Sequence, residues 1–235
     1  MTRIDIIYAV NKLAKFTRKP GKVHFDALIH LLQYLCNNSL LGVRFYSEIG
    51  DSPVYKMLLA IKIDERHLFF GFTYLSWNDD QDSGRSTGCF VITYMGGIVD
   101  HSSNMPDPIA LSSAEAEYNE GCVAFMAASH LCMLLCEFEG IKDEEKAATT
   151  IYFDSKSTIA MGAKYKDIKH TRHIMRRYHY VRQNTAANRF TSSWIKTEFQ
   201  IANIGTKNND GPRHKLLVEL ALVKVKDQKG LIQEG

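Results

Sequence analysis

The sequence predicts an α/β fold, in which a mixed sheet of five strands is flanked by helices and preceded by a helical hairpin. Three observations predict it. Residues 68–102 contain three apolar β runs separated by turns, a pattern that is typical of an antiparallel meander. A long helical run follows at 113–139. The segment 150–154 is a further β run, which ends in an acid and is followed at once by a helix, and strands that are joined through helices pair in parallel.

Composition places the chain among ordinary globular proteins. Its 235 residues are 45% hydrophobic and 23% charged, with a formal net charge of +3, so charge alone does not identify a partner. The five cysteines form no C-x-x-C pair, which favours reduced thiols and an intracellular location, cytoplasmic or nuclear. We find no signal peptide and no apolar run long enough to cross a membrane, so no membrane partner is expected.

Two helices are predicted at the N-terminus. Apolar residues recur at helical spacing in 3–17 and again in 25–35, with a Pro-Gly pair between them. A short strand is expected at 41–46, and the segment 47–65 is interpreted as a linker or irregular crossing. The apolar faces of the two helices need a partner, so the helices either pack on the following domain or leave an exposed apolar patch.

The helix that begins near Ser112 carries the first candidate functional residue. Ser112 and Glu115 have the spacing of a capping box, which marks a helix start. Glu117 lies in line with a stripe of small and apolar residues that continues to Leu135. A carboxylate on such a stripe is costly to bury without a partner. Glu117 is therefore either half-exposed in the first turn or a metal ligand at the mouth of the sheet.

Asp154 is the second candidate functional residue. It ends an apolar β run and stands directly before a helix that starts at Ser155. This position suits either a functional carboxylate or a helix N-cap. A basic helix is then expected at 171–185, a fifth strand at 190–196 and a last helical stretch from Gln200 onwards.

Several motifs, in order along the chain, resemble the ribonuclease H (RNase H) region of Ty1/copia-type retrotransposon Pol polyproteins. They are RSTG (85–88), ALSSAEAEY (110–118), FDSKS (153–157), KHTRHI (169–174) and QIANIGTK (200–207). Two N-terminal segments, IYAV (7–10) and ALIHLLQYL (27–35), resemble the tail of the preceding reverse transcriptase. The resemblance implies a reverse-transcriptase tail at 1–46, a linker at 47–65, an RNase H-like domain at 66–222 and a charged tail at 223–235.

The resemblance also implies a catalytic site. Enzymes of this family are expected to hydrolyse the RNA strand of RNA–DNA hybrids with two Mg²⁺ or Mn²⁺ ions about 3.5–4 Å apart, held by about four carboxylates. Glu117 and Asp154 match two of these acids and are the expected metal ligands. By the same resemblance, Tyr74 stands at the position of the central acid, which bridges the two metal ions, and Asn203 at the position of the fourth acid. A phenol with a pKa of about 10 is a poor ligand for Mg²⁺, so metal is expected to bind weakly if at all.

Neighbouring acids offer an alternative source of ligands. Asp79, Asp80 and Asp82 follow the first strand of the meander, and Asp210 follows the last motif. Their turn-like setting is better explained as solvated loop. Whether the enzyme is active is therefore left open, and an impaired or inactive RNase H-type nuclease is expected.

The basic helix is the candidate nucleic-acid-binding element. Between residues 164 and 189 the sequence contains eight Lys or Arg residues and a single acid, Asp167. Such a cluster suits phosphate contacts, and the alternative is a solvated helix face. The residues expected to bind nucleic acid are Lys169, His170, Arg172, His173, Arg176 and Arg177. The spacing of His170 and His173 alone does not indicate zinc, since no second ligand pair is in sight.

Two functional hypotheses remain. The first is a nuclease that degrades the RNA strand of hybrids. The second, favoured by Tyr74 and Asn203 together, is a non-catalytic nucleic-acid-binding module or a decayed element fragment. Either would have an RNA–DNA hybrid or other nucleic acid as partner, with a reverse-transcriptase portion supplied in trans as a further candidate. An integrase or transposase is disfavoured because no His/Cys zinc module precedes the acids.

Overall fold

The computed structural model describes residues 3–63, 68–77, 84–105, 113–140, 147–163 and 172–225, with the backbone alone for 161–163 and 172–178. The α-helices in these residues are α1 (Ile7–Ala14), α2 (Lys22–Asn37), α3 (Pro53–Ala60), α4 (Ser113–Glu139), α5 (Lys156–Ala163), α6 (Arg172–Ala186) and α7 (Gly211–Ala221). The strands are β1 (Leu41–Gly42), β2 (Phe69–Ser76), β3 (Thr87–Tyr94), β4 (Gly97–Asn104), β5 (Thr149–Phe153), β6 (Phe190–Trp194) and β7 (Val223–Lys224).

The central sheet has five strands in the order β4-β3-β2-β5-β6. β3 is antiparallel to both β2 and β4, whereas β5 is parallel to both β2 and β6. The predicted α/β fold, a mixed five-stranded sheet flanked by helices, is confirmed. Because β2, β5 and β6 run in the same direction, their C-terminal ends lie at one end of the sheet. Tyr74 is near the end of β2 and Asp154 directly follows β5, so both lie there.

Helix α4 covers one face of the sheet. Its buried side chains, among them Tyr118 and Phe125, pack with Phe69 of β2 and Phe153 of β5. The helix is long and apolar enough to cross a membrane by length and composition alone, which corrects our reading that no such run exists. Here it packs on the sheet, and buried core helices of soluble proteins share these properties.

The opposite face is covered by segments from both ends of the chain. Leu217 of α7 and Ile201 of the 3₁₀ helix Ile201–Gly205 share one buried cluster with Phe72 of β2. Ile4, just before α1, belongs to the same cluster. β1 and β7 pair antiparallel beside it, and this β1 is shorter than the strand expected at 41–46.

The two N-terminal helices differ in how they pack. Ile7 of α1 is buried in the core, whereas α2 has no buried residue. Val23 and Phe25 of α2 are 77% and 60% exposed. Both outcomes considered for the hairpin therefore occur, since α1 packs on the domain and α2 leaves an apolar surface.

The expected irregular linker at 47–65 is wrong for its central part, which forms α3. The Ser52 hydroxyl accepts a hydrogen bond at the helix start and Pro53 occupies the first turn, a position that suits proline. Val54 and Leu58 are buried. Eight residues give only two turns of periodicity, too few to distinguish a helix from a crossing. The domain boundaries themselves stay a prediction.

Candidate active site

The close approach of α4 to β5 positions Glu117. Gly121 lies one turn after Glu117, and a Cβ added to it would be 2.5 Å from Cε1 of Phe153. Any larger residue would push α4 away from the strand. Since Asp154 directly follows Phe153, this packing sets Glu117 beside the strand end that carries Asp154.

Asp154 is half-buried and is held by the last residue of β6 and by a residue that follows this strand. Thr197 Oγ1 donates a hydrogen bond to Asp154 Oδ2 at 2.8 Å, and Trp194 Nε1 donates to the backbone oxygen of Asp154 at 3.0 Å. Burial raises the pKa of the Asp154 carboxyl, while the Thr197 bond and the positive charge of Lys207 act in the opposite direction. The carboxylate is thus fixed in one orientation at the sheet end.

Glu117 is also half-buried, and α5 holds it. Thr158 Oγ1 donates to Glu117 Oε2 at 2.7 Å. Burial raises the pKa of Glu117, hydrogen bonds from Thr158 and Ser155 lower it, and the negative charge of Asp154 raises it. The two carboxylates are therefore within electrostatic reach of one another.

Ser155, rather than Asp154, caps α5. Its Oγ accepts a hydrogen bond from the backbone N–H of Thr158 at 3.2 Å, the contact expected of an N-cap side chain. The carboxylate of Asp154 is turned to Thr197 instead. The alternative role considered for Asp154 is therefore taken by its neighbour.

Tyr74, which stands where the resemblance requires an acid, is in contact with Lys207. Lys207 Nζ lies 3.5 Å from the Tyr74 hydroxyl oxygen and 5.0 Å from the centre of its ring. The ammonium is positioned to donate to the phenol oxygen and to interact with the ring face. This corner of the site therefore carries a positive charge.

Asn203 is built into the chain around it. It is 1% exposed, and its Nδ2 donates to the backbone oxygen of Thr197 at 3.0 Å. Its Oδ1 has no hydrogen-bond partner within the part of the chain that the structure describes. The amide thereby stabilises the turn whose Thr197 hydroxyl holds Asp154.

Gln200 joins the elements that carry the site. Its fully buried Nε2 donates to the backbone oxygens of Thr73, at 3.0 Å, and Tyr152, at 3.2 Å. Thr73 adjoins Tyr74, and Tyr152 is two residues before Asp154. Sequence reasoning quoted Gln200 only as part of a motif and missed this function, as it missed those of Thr158, Thr197 and Lys207.

The described residues do not fit two divalent ions. Two Mg²⁺ ions need several hard, mostly anionic oxygen ligands, whereas the coupled carboxylates here are Glu117 and Asp154 alone, and the positive charge of Lys207 acts on Asp154. Across residues 3–63, 68–77, 84–105, 113–140, 147–163 and 172–225, no three His, Cys, Asp or Glu side chains are grouped to hold a metal.

The other candidate ligands do not complete the site. Asp79, Asp80 and Asp82 lie outside the described residues, as does Ser112 of the predicted capping box. Asp210 caps α7, since its Oδ1 accepts from the backbone N–H of Arg213 at 2.9 Å.

The predicted nucleic-acid-binding residues belong to α6 and the segment before it. Lys169 and His170 lie outside the described residues, and the backbone alone is described at Arg172, His173, Arg176 and Arg177, all within α6. Towards the end of the same helix, the buried Val181 packs in the cluster beneath α4. Binding by these six residues stays a prediction.

Comparisons with known proteins find relatives of almost the whole chain. It is 27% identical over 219 residues, 93% of its length, to the retrovirus-related Pol polyprotein from transposon TNT 1-94 of Nicotiana tabacum. It is 25% identical over 88% of its length to the Pol polyprotein from transposon RE1 of Arabidopsis thaliana. The chain spans 15% and 13% of these two relatives. No family model matches it.

The chain is also similar to part of an effector protein and to one solved structure. The chain is 30% identical over 118 residues, half of its length, to the secreted RxLR effector protein 161 of Plasmopara viticola, of which it covers 72%. Among solved structures, LC11-RNase H1 in complex with an RNA/DNA hybrid is similar with a TM-score of 0.41 and 14% identity, over 59% of this chain and 93% of that one. The transposon relatives confirm the resemblance found in the sequence motifs: over about nine-tenths of its length, the chain is similar to the Pol polyproteins of copia-type transposons.

Proposed function

We propose that this RNase H-like domain binds nucleic acid and has lost efficient two-metal hydrolysis of the RNA strand of RNA–DNA hybrids. The observation that carries the proposal is the contact between Lys207 and Tyr74 at the position of the bridging acid. Its proposed partners are an RNA–DNA hybrid and a reverse-transcriptase portion supplied in trans, in the cytoplasm or nucleus.

Charge at the site supports the loss of hydrolysis. Two divalent ions bring four positive charges, which about four carboxylates are needed to balance. Glu117 and Asp154 supply two negative charges, and Lys207 already offsets part of them, since its charge lowers the pKa of Asp154. A resident ammonium also repels a cation that approaches the same carboxylate. Mg²⁺ or Mn²⁺ is accordingly proposed to bind weakly.

Cleavage of a labelled RNA–DNA hybrid in Mg²⁺ and in Mn²⁺ tests the proposal. The natural chain is compared with Tyr74→Asp and with the double variant Tyr74→Asp/Asn203→Asp. The single variant is needed because an aspartate at 203 would face the Thr197 backbone oxygen that the asparagine now contacts. We expect no cleavage by the natural chain and measurable cleavage by at least one repaired variant.

A matched control identifies the source of any cleavage. Glu117→Gln, introduced into every protein tested, removes one proposed ligand while keeping the shape of the side chain. Cleavage by the natural chain that Glu117→Gln abolishes would overturn the proposed loss of hydrolysis. Repaired variants that fold and bind hybrid but do not cut would instead contradict the assignment of Glu117 and Asp154.

A further inference from the structure

A second basic segment lies in the N-terminal hairpin. Residues 6–25 contain no acid, and their cations are Lys12, Lys15, Arg18, Lys19 and Lys22. The first two lie on and just after α1, and the other three are exposed in the turn and at the start of α2. Five cations within twenty residues that include no Asp or Glu favour a polyanionic partner.

Hydrogen bonds fix α1 against the sheet. Asn11 Nδ2 donates to Ser103 Oγ of β4 at 2.8 Å. Ser103 Oγ in turn donates to the backbone oxygen of Gly205 at 2.6 Å. Gly205 ends the 3₁₀ helix that contains Asn203. Helix α1 is therefore tied, through Ser103, to an element of the candidate active site.

The strand register gives the distance between Ser103, which contacts α1, and Tyr74 of the candidate active site. Tyr74 pairs with Cys89 across β2 and β3, and Cys89 pairs with Ser103 across β3 and β4. Ser103 and Tyr74 thus lie in one row, two strands apart, which is about 10 Å at the usual strand spacing. Successive base steps of a nucleic-acid strand rise about 3.4 Å, so about three steps cover this distance.

A pocket lies between α1 and the sheet, next to Ser103. Its volume is about 220 Å³, and its polar lining includes Lys12, Lys15, Tyr8, Asn11, Thr87 and Asn104. Ammonium, amide and hydroxyl groups are the side-chain donors that contact phosphates in nucleic-acid complexes. Thr87 pairs with Ser76, the last residue of β2, so the pocket is at the same end of the sheet as Asp154.

We propose that this pocket, between α1 and the ends of β3 and β4, binds a backbone phosphate of the nucleic acid that crosses the candidate active site. Lys12 and Lys15 provide the charge, and the neighbouring amides and hydroxyls orient the phosphate oxygens. Arg18, Lys19 and Lys22 extend the positive surface beyond the pocket, which favours a polynucleotide over a single anion. The proposal rests on the proposed nucleic-acid binding but not on the loss of hydrolysis.

The test is the affinity of the complete chain for a fluorescent RNA–DNA hybrid in EDTA, measured at several salt concentrations. Lys12→Gln/Lys15→Gln is compared with Lys56→Gln/Lys215→Gln, which changes the net charge equally. Lys56 and Lys215 are highly exposed and do not line the pocket. Melting temperatures of both variants establish that they fold.

We expect the pocket variant to bind at least tenfold more weakly at low salt, and the control variant to stay within about twofold of the natural chain. The slope of log affinity against log salt should become less steep by about one unit in the pocket variant, since one lost phosphate contact removes about 0.7–0.9. Inorganic phosphate at constant ionic strength should compete poorly, because it lacks the neighbouring charges.

Three outcomes would overturn the inference. Equal slopes for the natural chain and the pocket variant would show that the pocket holds no phosphate. An equal loss of hybrid affinity in both double variants would show that only the net charge of the protein matters. Efficient competition by inorganic phosphate would indicate a site for a free anion. Absence of hybrid binding by the natural chain would contradict the proposed function itself, whereas cleavage by the natural chain would leave the pocket unaffected.

Discussion

The ammonium group of Lys207 lies 3.5 Å from the hydroxyl oxygen of Tyr74, so a protein cation takes the place that the transposon resemblance reserves for a metal-bridging acid. Burial raises the pKa of Asp154, and the positive charge of the same lysine offsets part of that rise. A site of this kind is stable without added ions, because part of its charge is balanced by the chain itself. Its response to metal separates it from an intact two-metal site.

The melting temperature of the natural chain should not differ between EDTA and 10 mM Mg²⁺. Tyr74→Asp/Asn203→Asp should be stabilised by Mg²⁺, by about 1.4 kcal/mol for a dissociation constant of about 1 mM, or about 3–6 °C for a domain of this size. Calorimetry in both buffers measures this. Tyr74→Phe is the control, since it keeps the ring under Lys207 and adds no ligand. Stabilisation of the natural chain by Mg²⁺ would contradict the prediction.

Glu117→Gln should raise the melting temperature at pH 7. Burial raises the pKa of Glu117 in the folded state, so the folded protein holds the proton more tightly than the unfolded chain does. The stability gained from this proton is present at low pH and is lost as the pH rises through the folded-state pKa. The advantage of the neutral glutamine should therefore shrink as the pH is lowered from 7 to 4.5. If the difference in melting temperature between Glu117→Gln and the natural chain grew as the pH was lowered, the pKa of Glu117 would be lowered by folding, not raised.

Gly121→Ala should destabilise the protein by about 1–3 kcal/mol, the usual cost of overpacking a core, because the added methyl group meets the ring of Phe153. Chemical denaturation measures the change. Gly140→Ala is not a neutral control, since Gly140 has a positive φ of 67°. Ser129→Ala in the same helix serves instead. In the repaired background, Gly121→Ala should also reduce cleavage, since it moves Glu117 away from Asp154.

Gln200→Leu should cost about 1–3 kcal/mol, the usual penalty for a buried polar group that loses its partner, because the amide that contacts the oxygens of Thr73 and Tyr152 is removed. Gln200→Glu leaves an acid facing two carbonyl oxygens and should be at least as destabilising at pH 7. Denaturant midpoints of the two variants check the order. If both variants matched the natural chain in stability, Gln200 would not join the strands.

The strands could be predicted from the sequence because their signal is local. β2 and β3 are runs of apolar, aromatic and β-branched residues, and β4 follows β3 after a glycine turn; the three strands span 69–104, close to the expected 68–102. α3 could not be predicted because its two turns carry little periodicity. Prediction thus succeeded where several neighbouring residues repeat one pattern and failed where a single element is short.

The site could be predicted only in part, for a different reason. Local patterns made Glu117 and Asp154 candidate residues, but only the family motifs assigned them to one site, since no spacing rule brings residues 37 positions apart together. The partners that hold them come from still other segments: Thr158 from α5 and Thr197 from the turn after β6. The sequence around a threonine or glutamine does not indicate which group its side chain contacts, because that contact depends on the fold.

The pairing of β1 with β7 brings the first and last described residues close together in space. The Arg3 guanidinium donates a hydrogen bond to the backbone oxygen of Asn38. The backbone N–H of Val225 donates a hydrogen bond to the backbone oxygen of Leu40. Both ends of the described chain therefore meet at residues 38–41. A unit whose entry and exit points coincide can be inserted into another protein, or circularly permuted, without separating the two halves of its core.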